Sequence, residues 1–131
     1  MKEYDGRVRL VFKDLPLASH PKARPAHEAA RCAGAQGRYW PYHDRLFANQ
    51  GDVERPDLLR YAGEVGLKRD EFIRCIDERR FAAAVEADLA QARALGVRST
   101  PTFIVNGRPL IGAHPVETFR TVIDDALREA R

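Results

Sequence analysis

A chain of 131 residues, 44% hydrophobic and 31% charged, has the size and make-up of one compact globular domain. Its net charge of +3 is small, and basic residues such as Arg7, Arg9, Arg24, Arg31 and Arg38 alternate with apolar and acidic ones. That pattern excludes the clustered basic stripe of a nucleic-acid-binding surface, and no run of ~18 apolar residues marks a membrane span.

Near the start, Val8-Arg9-Leu10-Val11-Phe12 reads as a buried strand, bounded by Gly6 and by Asp14-Leu15-Pro16. The prolines at positions 16 and 21 then impose an irregular connection. From about Pro25 the spacing of Ala26, Ala29, Ala30 and Ala33 predicts a helix, with Gly34 and Gly37 available as stops. Tyr39-Trp40-Pro41 opens a second helix whose inward face should carry Trp40, His43, Leu46 and Phe47. Two short helices follow over Pro56–Val65 and Asp70–Glu78, and a longer one runs from about Arg80 to Leu95, capped by Gly96.

Beyond Val97 the pattern changes. Thr102-Phe103-Ile104-Val105 is strand-like, and Asn106-Gly107 tolerates positive φ at both central positions of a hairpin turn. Arg108-Pro109-Leu110-Ile111 returns as a short strand, with Pro109 marking an edge. A last helix starts near His114-Pro115 and carries Val116, Phe119, Ile123 and Leu127 on one stripe. The plan is α/β, without internal repeats.

The chemistry-bearing residues are sparse. The two cysteines, Cys32 and Cys75, belong to no Cys-x-x-Cys, and His20, His27, His43 and His114 show no metal-ligand spacing relative to them. No metal site and no cofactor are therefore expected, and the histidines read as surface or capping residues. Cys32 and Cys75 read equally as buried thiols among apolar neighbours or as a structural disulfide, which would require an oxidising compartment. His43-Asp44 is not expected to act as a dyad, because adjacent helical residues do not face each other. Asp124-Asp125, and Glu71 with Asp77-Glu78, read as solvated helix charges.

The local words in this order resemble the DsbA-like thioredoxin-fold family of thiol:disulfide interchange proteins. Gly96-Val97-Arg98-Ser99-Thr100-Pro101-Thr102-Phe103-Ile104-Val105-Asn106-Gly107 is similar to that family's cis-proline loop and hairpin. Val8 to Pro16 resembles the strand after its redox helix, and Ala29-Ala30-Arg31-Cys32-Ala33, Gln36-Gly37-Arg38-Tyr39-Trp40, His43-Asp44 and Leu46-Phe47 resemble its helical insertion. The resemblance implies an α/β thioredoxin-like fold, a single domain over residues 1–131 with a helical subdomain inserted at about 22–95. It also implies a chain incomplete at its N-terminus, lacking the first, central strand and the redox helix with its Cys-x-x-Cys.

On that resemblance no catalytic residue is expected in the chain. Thr100 and Pro101 would hold the backbone of cysteine-containing protein or peptide substrates as an added strand. Dithiol/disulfide exchange would occur in the complete protein, with this part inactive alone. Two alternatives stand beside this: a redox-silent peptide-binding module, and a relative of the glutathione-dependent kappa-type transferases and isomerases. The resemblance suggests a periplasmic or other extracytoplasmic location, while Met1-Lys2-Glu3-Tyr4-Asp5-Gly6 has no apolar core of a secretory signal.

Overall fold

The structure is a computed structural model that describes residues 2–130. Its described residues form six α-helices and a small two-stranded sheet, the mixed content of an α/β plan. Two compact units are present: one spans Asp14–Gln91, the other comprises Met1–Lys13 with Ala92–Arg131.

The Asp14–Gln91 unit is helical. It contains α1 (Ala23–Gly34), α2 (Tyr39–Ala48), α3 (Arg55–Glu64), α4 (Arg69–Asp77) and most of α5 (Ala82–Leu95). Each boundary lies within about two residues of its sequence expectation. Ala29, Ala30 and Ala33 are at most 4% exposed, and such small side chains let α1 approach its neighbours closely. Around them close Tyr42, Leu58, Tyr61, Ala62 and Phe72.

Local chemistry sets the helix ends. The Glu54 amide donates to Asp57 at the start of α3, where Pro56 needs no amide partner. α3 ends in a left-handed turn at Gly66 (φ 78°), with the Leu67 amide on the Ala62 carbonyl. α4 ends in the same way, but at Arg79 (φ 49°), a conformation that costs an L-residue ~1–2 kcal/mol.

The face of α2 needs correcting. Trp40 and Phe47 are 42% and 55% exposed, whereas Tyr42 is fully buried and Leu46 packs on the core. The core-facing stripe is thus displaced along the helix. The Tyr42 hydroxyl can be buried because it donates to the Leu58 carbonyl at 2.9 Å.

The other unit holds a single 3-10 turn (Lys2–Tyr4), β1 (Thr102–Val105), β2 (Arg108–Ile111) and α6 (Val116–Glu129). The strands pair antiparallel, Phe103 opposite Leu110 and Ile104 opposite Pro109, around a turn with Asn106 and Gly107 both at positive φ. Phe103 meets Phe119 of α6 edge-on at 4.7 Å, so one sheet face is covered by α6. Cross-strand register puts Ile104 and Ile111 on the opposite face, where they are 50% and 65% exposed. Tyr4 is nearly buried, and its hydroxyl donates to Asp124 at 2.8 Å.

The strand expected at Val8–Phe12 does not form. Among the described residues the sheet consists of β1 and β2, and a strand exists only where a ladder partner satisfies its backbone. Leu10 and Val11, expected in a core, are about half exposed.

Candidate functional site

Three groups of residues bear on chemistry. The first is the cysteine pair. Cys32 on α1 and Cys75 on α4 form a disulfide with their Cα atoms 5.9 Å apart, and the two residues are 1% and 2% exposed. They sit inside the helical core, so the described residues offer no free thiol, and attack on the bridge requires the core to open.

The second is a buried ionic network. Asp14 is 2% exposed; its carboxylate lies 2.6 Å from His27 Nδ1 and accepts from Arg31 Nε, while its amide donates to Asp88 Oδ2 at 2.8 Å. Arg31 Nη2 donates to the same Asp88 oxygen at 2.6 Å. Burial pushes the Asp14 carboxyl upward, but the hydrogen bonds to His27 and Arg31 outweigh it and hold the group below the ordinary carboxylate range. Alongside, Glu28 accepts from Arg79 at 2.8 Å and from Arg24 at 3.3 Å; the Arg79 bonds chiefly depress its pKa. No buried side-chain nitrogen or oxygen among the described residues lacks a partner.

Sequence reading missed this network and took His27 for a surface or capping residue. One signal was available: Asp88 falls next to the apolar positions Val85 and Leu89 on α5, where an acid needs a partner.

The third is the Thr100–Pro101 loop. The peptide bond between these residues is cis, and both are exposed. The Pro101 carbonyl accepts from Gly112 at 2.8 Å and so extends the hairpin by one bond. No hydrogen bond engages the Thr100 backbone among the described residues. β1 is paired on one side only, which leaves its other edge available to an extended chain. Cys32 and Cys75 meet each other; Thr100 and Pro101 belong to the other unit.

His43 packs along its own helix and also meets its neighbour Asp44. Its Nδ1 lies 3.2 Å from Asp44 Oδ1, although the two are adjacent on α2, and its ring stacks on Phe47 at 4.4 Å. Asp44 has a side chain 77% exposed and can swing toward its neighbour, which backbone geometry alone does not reveal. Among the described residues, no group of three His, Cys, Asp or Glu is placed to hold a metal ion.

Comparison with known proteins adds the lineage. A family model described as Thioredoxin matches residues 1–125. The chain is 39% identical over 125 residues to the Na(+)/H(+) antiporter NhaA 1 of Salinispora arenicola, covering 95% of this chain and 19% of that protein. It is 40% identical to the Na(+)/H(+) antiporter NhaA 3 of Salinispora tropica, with the same coverage. With the Na(+)/H(+) antiporter NhaA of Herminiimonas arsenicoxydans the identity is 39% over 124 residues, 20% of that protein. The chain therefore spans about a fifth of the length of these curated relatives.

Proposed function

This chain belongs to the thioredoxin family, a family of thiol–disulfide oxidoreductase type, and on that footing we propose that it is the substrate-holding part of a DsbA-like thiol:disulfide oxidoreductase. The observation that carries the reading is the unpaired edge of β1 beside the exposed, unbonded Thr100 backbone. An extended cysteine-containing peptide would add there as a strand, its main chain giving affinity and its alternate side chains meeting the apolar face at Ile104 and Ile111. The reactive dithiol would come from outside this sequence, since its own two cysteines are joined and buried.

The test is the intact mass of the endogenous polypeptide, before and after reduction and alkylation. A mass well above 14.8 kDa with two additional alkylated cysteines supports the reading. A mass of 14.8 kDa with only the two cysteines of this chain overturns dithiol exchange. Peptide binding without thiol consumption would then identify a redox-silent module.

The relatives favour a second, compatible reading: the chain is a module of a membrane-bound polypeptide. Proteins carrying a stretch 39–40% identical to it are named Na(+)/H(+) antiporters. No helix among the described residues is long and apolar enough to cross a membrane, so ion exchange would belong to the remainder of such a protein. The Cys32–Cys75 bridge supports exposure of the module to an oxidising compartment.

A further inference from the structure

Charge is divided unevenly between the two units. The hairpin unit carries ten basic and six acidic residues, net +4, whereas the helical unit carries twelve and thirteen, net −1. Between Asp88 and Glu117 the sequence holds no acidic residue, and that stretch includes the Thr100–Pro101 loop and both strands. Resting on the reading that the edge of β1 holds an extended peptide, we propose that Arg98 selects peptides with an acidic residue just beyond the segment paired with β1.

Local bonds fix where Arg98 stands. The Val97 amide donates to the Ala92 carbonyl at 2.9 Å and closes the end of α5. The Thr102 hydroxyl donates to the Ser99 carbonyl at 2.7 Å. Arg98 is thus set between a helix cap and a tight turn, on a short tether to the loop. Its side chain is exposed, and no ion pair or hydrogen bond engages it among the described residues. The acids of the same unit do not neutralise it. Glu3 and Glu117 flank Arg120, Asp124 accepts from Tyr4, Asp125 pairs with Arg128, and Glu129 pairs with Arg108. Asp5, the sixth, engages no basic residue among the described ones, Arg98 included.

Geometry places the acidic residue of the peptide. The Pro101 carbonyl is turned to β2 by its bond from Gly112, so alternation along the strand turns the Thr102 and Ile104 backbones to the open edge. From Thr100 to Ile104 that edge is about 13 Å long, enough for four or five extended residues. Side chains of the peptide on the Ile104 and Ile111 face meet apolar surface. Arg98 and Thr100 are two residues apart, so their Cα atoms lie within ~7 Å of each other. The peptide residue beyond the one at Thr100 therefore passes within reach of the guanidinium. A carboxylate there accepts two parallel bonds from it, and a basic side chain is repelled.

The experiment is fluorescence anisotropy of dye-labelled peptides with the full chain, disulfide intact. Each peptide alternates valine and serine over six residues, with glutamate, glutamine or lysine at both ends so that either strand direction is served. Serine in place of cysteine keeps thiol chemistry out of the measurement. At low salt the glutamate peptide should bind about three-fold tighter than the glutamine peptide, the effect of one exposed ion pair, and the lysine peptide weakest. High salt should level the three. Arg98→Gln should abolish the ranking. Arg128→Gln makes the same charge change in the same unit and should keep it, because the Glu129–Arg108 pair puts that end of α6 beside the hairpin turn, away from Thr100. Circular dichroism checks that both variants fold. A ranking that survives Arg98→Gln overturns the proposal, and equal loss in both variants overturns it in favour of diffuse charge. Equal binding of all three peptides to the unaltered chain overturns acidic selection while the peptide-holding edge stands. Binding of none overturns that edge and the proposal with it.

Discussion

Asp14 and Asp88 lie 74 residues apart in sequence, yet the amide of the first donates to the carboxylate of the second at 2.8 Å, with Arg31 bonded to both side chains. Two nearly buried acids so close are tolerable only with that cation and with His27 beside them. The network ties the start of the helical unit to α1 and α5. Arg31→Met removes the shared cation and leaves two carboxylates facing each other. It should cost about 3 kcal/mol, the low end for breaking a buried pair because Arg31 keeps partial exposure. A lower urea midpoint at unchanged slope would show it, and an unchanged midpoint would refute it.

Acid should weaken the fold through the same groups. Asp14 and Glu28 are both held below their ordinary values, so the unfolded chain binds their protons more readily than the folded one. Their contribution is complete above the unfolded values of ~4 and is lost as pH falls through the lower folded-state values. Melting temperatures measured between pH 7 and pH 2 should therefore be steady at first and then drop below about pH 4. The Asp14→Asn variant should show a shallower drop.

The disulfide should act as a staple. Cys32 and Cys75 are separated by 43 residues, and closing a loop of that length stabilises by about 4 kcal/mol in the chain-entropy model. Reduction, or replacement of both cysteines by alanine, should lower the thermal midpoint by tens of degrees for a unit this small. A thiol-reactive dye should count no thiol in the native protein and two after reduction in denaturant. A reactive thiol in the unreduced native protein would contradict the structure.

At Arg79 two effects compete. The residue occupies φ 49°, where glycine is favoured, and its guanidinium bonds to Glu28. Arg79→Ala keeps the backbone cost and loses the ion pair; Arg79→Gly loses the pair but removes the cost. The glycine variant should be more stable than the alanine variant by about 1 kcal/mol. The reverse order in denaturant melts would show that the turn is not left-handed.

In the hairpin unit, Gly107 at φ 87° meets nothing that a Cβ would strike, so a substitution there reports backbone conformation alone. Gly107→Val should destabilise this unit by about 1–2 kcal/mol. Faster amide exchange in β1 and β2, without change in α1–α4, is the expected signature.

Much of this protein was legible in the chain itself. Alanine spacing in α1, the apolar stripes of α3 to α6, Asn106-Gly107 between two short apolar runs, and Gly66 and Gly96 beyond their helices specify elements through local backbone and side-chain preferences. Such preferences act within a few residues and need no tertiary partner. Membership of a thioredoxin family was legible for the same reason, since its words are local, and so was the cis bond at Thr100–Pro101.

What required the tertiary structure were the pairings between distant residues. Cys32 and Cys75 read equally as free thiols or as a bridge until α1 and α4 were packed. Asp14, His27, Arg31 and Asp88 gave no joint signal, because burial and proximity, not spacing, turn separate charges into a network. Tyr42 displaced Trp40 and Phe47 from the core because its hydroxyl finds the Leu58 carbonyl across the packing. Val8–Phe12 has strand composition but joins no sheet among the described residues, since a strand is made by a ladder partner, and a segment's own residues cannot supply that partner.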